Sequence, residues 1–234
     1  MLPLTRGNLS QRTQTVLARR QIKVDSAPDP KDTAKRSWKT FSGNARVEVM
    51  SSLQNMASGL DRCMYCEDSM GTDIDHFRPK HHYPEAAFVW SNYYLACSHC
   101  NSNQKRGEFP LLPGGIPGLI DPCVQDPFNH FDFSPSTGRY VERDELGRNT
   151  IRVFGLNRQV CVDGRRNAWV ALEALVVLYR QAPEKRDQIL HTIREYPFQG
   201  VRRHMAQLMQ SPKRDLLLPA GVVIAVSRHP ELSE

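Results

Sequence analysis

The sequence predicts an α+β fold: a small core tied together by two cysteine pairs and flanked by mainly helical segments. Three observations lead there. Apolar residues recur at three- and four-residue spacings over 44–60 and fill most of the circumference over 158–181, the patterns of packed helices. Strand candidates are short and few, chiefly Gly138-Arg139-Tyr140-Val141 and Thr150-Ile151-Arg152-Val153, joined through a polar turn containing Gly147. Four of the six cysteines form the pairs Cys63/Cys66 and Cys97/Cys100, with thirty residues between them.

Taken in order, the chain divides into segments 1–36, 37–110, 111–157 and 158–234. Residues 1–36 hold eight Lys or Arg against three Asp, lack aromatics, and read as a basic N-terminal arm, either solvated or laid on a phosphate backbone. Gln11 to Arg20 has room for a helical turn or two, and Pro28 and Pro30 end any helix before them. In Asn44–Leu60, Val47, Val49, Met50, Leu53, Met56 and Leu60 make one helix face, with Gly59 near its end. Residues 109–150 are rich in Pro and Gly and read as an ordered irregular loop leading to the short strands. The helix over 158–181 is apolar most continuously from Ala168 to Tyr179, which fits a buried position or a partner-facing surface. Pro183 breaks it, and helices are expected over about 184–196 and 200–209. Leu216–Val226 is apolar but interrupted by Pro219 and Gly221, as in a short strand or a docking segment.

Composition narrows the function classes. The chain has 234 residues and a formal charge of +6, which makes a polyanion a natural partner without requiring one. No apolar run approaches the roughly 18 residues that span a bilayer, and the polar, Arg-bearing first twenty residues do not read as a secretory signal. The expected location is the cytoplasm, without membrane association. There, cysteines stay reduced and serve as metal ligands or buried thiols rather than disulfides. Two C-x2-C turns each offer two thiolates to one tetrahedral ion, so Cys63, Cys66, Cys97 and Cys100 are the expected ligands of a structural Zn²⁺. Cys123 and Cys161 have no such pairing and read as buried apolar groups.

Between and after the cysteine pairs lie Asp73-Ile74-Asp75-His76-Phe77-Arg78-Pro79-Lys80, then Trp90-Ser91-Asn92, then Asn101-Ser102-Asn103-Gln104-Lys105-Arg106-Gly107. Imidazole titrates near neutral pH and suits His76 to general-base work. Asp75 offers an oxygen to a hard divalent ion. Adjacent residues of a strand face opposite ways, so for both to act at one site the chain should leave strand geometry there. Asn101, four residues after Cys97, shares a helix side with it. Arg78, Lys80, Lys105 and Arg106 flank the motif and are candidate phosphate contacts.

The succession C-x2-C, Asp-His-x-x-Pro, Asn, C-x2-C-Asn-x3-Lys over Cys63–Gly107 resembles the HNH endonucleases. That resemblance implies a ββα-metal core stapled by zinc, with His76 as base, Asp75 and Asn101 as ligands of a catalytic Mg²⁺ or Mn²⁺, and Asn92 bracing the loop that orients His76. Many members of the family carry His where this chain has Asn101, so Asn103 and His99 stand as rival ligands. A wider pattern adds Leu119-Ile120-Asp121-Pro122, Asp126-Pro127, Gly138, Thr150–Arg158 and Arg165. It is similar to the HNH subunits of Septu-type and retron-associated anti-phage systems, which work beside an ABC/SMC-like ATPase. The expected activity is hydrolysis of DNA as a defence effector with such a partner. The competing reading is a non-catalytic zinc module that binds nucleic acid or protein.

Overall fold

The computed structural model describes residues 1–233. Three helices come first: α1 (Gln11–Asp25), α2 (Pro30–Lys39) and α3 (Asn44–Met56). The Ser10 hydroxyl accepts from the Thr13 amide at 3.3 Å and starts α1; the Asp29 carboxylate accepts from the Asp32 amide at 3.0 Å and starts α2, with Pro30 in the first turn. Residues 1–36 are therefore folded rather than a solvated arm: Leu9, Leu17, Val24 and Ala34 are buried. The inward stripe of α1 is Thr13, Leu17 and Val24. One member is a threonine and the others lie seven apart, so apolar counting sees almost nothing there. α1 also runs well past the one or two turns its sequence suggests.

The central core is smaller. Strands β1 (Asp73–His76) and β2 (Tyr93–Ala96) pair antiparallel, with Asp73 opposite Ala96 and His76 opposite Tyr93. All four residues of β2 are buried, so this strand shows no in–out alternation. A wide helical turn, His99–Lys105, follows; the Arg106 amide reaches back to the Asn101 carbonyl at 3.1 Å before Arg106 and Gly107 turn left-handed and end it. Two-residue strands β3 (Leu111–Leu112) and β4 (Ile116–Pro117) come next. The hairpin of β5 (Phe131–Ser134) and β6 (Arg139–Glu142) realises the first strand candidate, shifted by a residue.

The second strand candidate is wrong. Thr150–Val153 lies in helix α4 (Glu145–Val153). Asp144 accepts from the Gly147 amide at 2.8 Å to start that helix, and Leu146, Thr150 and Val153 form its inward face. Gly155, at φ +58°, ends it, with the Gly155 amide on the Arg152 carbonyl and the Leu156 amide on the Ile151 carbonyl. α5 (Gln159–Gln181) buries Cys161, Val162, Arg165, Ala168, Trp169, Leu172, Val176 and Tyr179 and leaves Val170 exposed. Against it pack α6 (Arg186–Glu195), α7 (Gln199–Met209) and, after the short α8 (Arg214–Leu217), α9 (Ala220–Arg228). The 216–226 segment is thus helical, covering the end of α8 and most of α9. Pro219 stands just before α9, where a helix tolerates it, and Val222, Val223, Ala225 and Val226 are buried.

Contacts bind this helical half to the core. Tyr65 stacks on Phe154 with ring centroids 3.8 Å apart. Arg158 places Nη1 3.7 Å from the Cys100 sulfur. The fully buried Arg165 donates to the Gly138 and Leu156 carbonyls. Small strands and abundant helices around a four-cysteine cluster make the chain α+β. Among the described residues, no helix is long and apolar enough to cross a membrane.

Candidate active site and metal centre

The four cysteines expected to bind zinc converge. The Sγ atoms of Cys63, Cys66, Cys97 and Cys100 all lie within 4.8 Å of one another, and all four residues are buried. A tetrahedron of Zn–S bonds of about 2.3 Å has edges of about 3.8 Å; Cys66 and Cys97 are 3.9 Å apart. The Cys100 amide points at the Cys97 sulfur at 3.4 Å, and Arg158 adds positive charge beside Cys100. Four thiolates around one Zn²⁺ carry a net −2, which that guanidinium partly offsets. The donor set fits a structural zinc ion.

β1 carries the motif's centre. Its ladder continues through His76 and stops there, so the departure from strand geometry comes only after the histidine. Asp75 and His76 nevertheless both border one cleft of about 380 Å³, together with Trp38, Lys80, His81, Asn101, Lys105 and Arg106. His76 is buried. Its Nε2 lies 3.0 Å from the Ala87 carbonyl oxygen, which can only accept, so Nε2 carries the proton and Nδ1 keeps its lone pair. The ring sits edge-on between Trp38, 4.3 Å away, and Tyr93, 5.2 Å away. Burial first, and the nearby Lys80 charge second, push its pKa down to about 3. It is therefore neutral near pH 7, and burial makes it a weaker base than the near-neutral imidazole expected from the sequence.

Asn92 lies behind the histidine. Its Oδ1 accepts from the Arg78 amide at 2.7 Å, and its Nδ2 donates to the Arg78 and Ala86 carbonyls at 3.0 and 2.9 Å. It therefore ties the two ends of the 78–86 loop together, one residue from the carbonyl that holds His76. Tyr93 OH donates to that same Ala87 carbonyl at 2.7 Å.

On the other side of β1, Asp73 and Asp75 share a face, as residues two apart in a strand must. Asn101 and Lys105, four apart on the helical turn, meet them in register. Asn101 Nδ2 donates to Asp73 Oδ2 at 3.1 Å, and Lys105 Nζ donates to Asp75 Oδ2 at 2.6 Å. The Asn101 amide oxygen and the carboxylates of Asp73 and Asp75 are the hard oxygen atoms on this side. His99 instead approaches Gln104, with His99 Nε2 and Gln104 Nε2 3.2 Å apart, and Asn103 is exposed.

The four basic candidates separate. Lys80 is half-buried, with its ammonium 5.7 Å from the Trp38 ring, and burial lowers its pKa. Arg106 is exposed at the cleft rim. Arg78 lies over the Tyr83 and Phe109 rings instead. Lys105, expected at a surface facing phosphate, is 1% exposed and ion-paired with Asp75. A solvated lysine and a buried one look alike in sequence; here the helical turn aims Lys105 inward, and the buried Asp75 supplies its counter-charge.

Three neighbours of the site are not evident from the sequence motif. Trp38 comes from α2, far outside the cysteine-bounded stretch; its only signal is an aromatic ring in a basic helix. Asp73 has a readable signal in its i, i+2 relation to Asp75. Tyr65 sits inside the first C-x2-C turn, and its hydroxyl donates to Asp75 Oδ2 at 2.6 Å.

Comparison with known proteins falls on this same stretch. Residues 63–107 match the HNH endonuclease family model. The Septu protein PtuB of Bacillus thuringiensis is 28% identical over 103 residues, which is 42% of this chain and 37% of that protein; the match thus spans little more than a third of the relative's length. Strand pairing, the four-cysteine cluster and the family match coincide on one segment, and over residues 63–107 the chain is similar to the HNH endonucleases.

Proposed function

We propose that this chain is a metal-dependent endonuclease that hydrolyses DNA phosphodiester bonds. One observation carries the reading: a neutral His76, with Nε2 pinned to a carbonyl and Nδ1 free, borders the same cleft as the Asp75 carboxylate. A module that only bound zinc would need neither group. In this reading Nδ1 takes the proton of the attacking water, while Asn92, held on the Arg78 and Ala86 backbone, fixes the loop that aims the ring. Asp75 and Asn101 hold Mg²⁺ or Mn²⁺, which when bound neutralises charge on the phosphate and the leaving oxygen. Lys80 and Arg106 meet the flanking phosphates. Asp75 already has Lys105 as a counter-charge.

Similarity to PtuB, and the wider resemblance to HNH subunits of Septu-type systems, support a role as the effector nuclease of an anti-phage defence system in the cytoplasm, acting with an ABC/SMC-like ATPase. The test is plasmid and single-strand cleavage with Mg²⁺ or Mn²⁺, by the chain alone and with proteins co-purified from its host. His76→Ala is expected to lower cleavage at least 100-fold with zinc content retained and the chain still folded, at a lower melting temperature because a buried ring is lost. Cleavage by that variant at the wild-type rate would refute the assignment.

A further inference from the structure

The Asp75 carboxylate is held asymmetrically. Both of its strong donors, the Tyr65 hydroxyl and the Lys105 ammonium, reach the same oxygen, Oδ2, each at 2.6 Å. Lys105 also donates to the His76 carbonyl at 2.5 Å. Tyr65 and Lys105 are fully buried, so neither donor exchanges its bond for water. With two donors on Oδ2, Oδ1 is the oxygen left to meet a cation from the cleft.

The origins of the two donors matter as much as their geometry. Tyr65 lies between Cys63 and Cys66, inside the first metal-binding turn, and its ring is fixed by stacking on Phe154. Lys105 lies five residues beyond Cys100, at the end of the helical turn that starts at the second cysteine pair. Each half of the cysteine site therefore sends one donor to the same carboxylate oxygen.

We infer that Tyr65 is a positioning residue that, with Lys105, clamps Asp75 Oδ2 and thereby couples the four-cysteine site to the catalytic metal site. This inference rests on the endonuclease reading, since it takes Asp75 as a ligand of the catalytic ion. Removing an outer partner of a metal-binding carboxylate typically weakens the metal about 10- to 100-fold. Tyr65→Phe is the cleanest probe, because phenylalanine keeps the ring on Phe154 and deletes only the hydroxyl.

The experiment titrates Mn²⁺ into the zinc-loaded full chain, following free Mn²⁺ by electron paramagnetic resonance, with zinc content and thermal melting measured on the same samples. The wild type is expected to bind Mn²⁺, Asp75→Asn to lose that binding, and Tyr65→Phe to bind about 10-fold more weakly or worse with one zinc retained. Tyr65→Phe binding Mn²⁺ within about twofold of the wild type, with or without a lowered melting temperature, would overturn the clamp and leave the nuclease reading standing. A wild-type chain that takes up no Mn²⁺ would overturn the nuclease reading and the clamp with it.

Discussion

His76 shows how a residue whose type is legible in sequence acquires its chemistry from packing. The Asp-His pair names a candidate base, but not the nitrogen that works or the proton affinity of the ring. Both come from neighbours distant in sequence: the Ala87 carbonyl accepts the hydrogen bond from Nε2–H, while Trp38 and Tyr93 pack around the ring. Burial holds the pKa near 3, against an unfolded value near 6.5. The unfolded chain therefore binds the proton more readily, and stability falls as pH drops from about 6.5 toward 3. The slope this group contributes approaches about 1.4 kcal/mol per pH unit once the unfolded histidine is mostly charged. His76→Gln removes the titration, so its stability in urea, measured between pH 6.5 and 5 with zinc bound, is expected to change less steeply than that of the wild type. Parallel slopes would show that the ring is not held neutral by burial. Lys105 marks the limit at this scale, because nothing local to Asn101–Gly107 tells a phosphate-facing lysine from one turned onto Asp75; that outcome depends on the pairing of helical turn and strand.

Among the elements, those with a regular apolar period are legible in the sequence and those specified by their ends are not. α5 announces itself through its apolar run, and its companions α6 and α7 lie within two residues of their expected starts and ends. Thr150-Ile151-Arg152-Val153 reads locally as a strand because three of its four residues are β-branched. Its helicity is decided outside those four positions, by the Asp144 cap, by the inward spacing of Leu146, Thr150 and Val153, and by the left-handed Gly155. The cap has a second role, since Asp144 Oδ2 also lies 2.7 Å from His130 Nδ1. Asp144→Ala is expected to lower stability by about 1–2 kcal/mol, read as a lower urea midpoint at unchanged slope. A neutral substitution would mean that α4 is held by packing alone. The hydroxyl oxygen of Thr150, wholly buried, accepts from the Ile120 amide at 2.9 Å, so α4 also anchors the irregular segment after the core.

For the molecule as a whole, the charge lies beside the chemistry rather than in it. Residues 61–108 hold five Lys or Arg against seven Asp or Glu, whereas residues 1–36 hold the basic excess. Because α1 and α2 are packed, that excess is a fixed surface and not a tether. Lys31, Lys35 and Trp38 follow at i, i+4 and i+7 on one side of α2. Trp38 forms a wall of the cleft, both lysines are exposed, and the Lys31 charge helps depress the His81 pKa, after burial and the His82, Lys80 and Lys105 charges. The stripe thus leads from solvent to His76. If it guides a nucleic-acid backbone, Lys31→Glu/Lys35→Glu should weaken DNA binding and flatten its salt dependence by about two units of log–log slope, roughly 0.9 for each phosphate no longer neutralised. Single-turnover cleavage at saturating DNA should be nearly unchanged, because neither lysine borders the reacting atoms. Binding measured across a range of salt concentrations decides the matter: an unaltered slope would place the DNA path elsewhere, over the Lys80 and Arg106 rim alone.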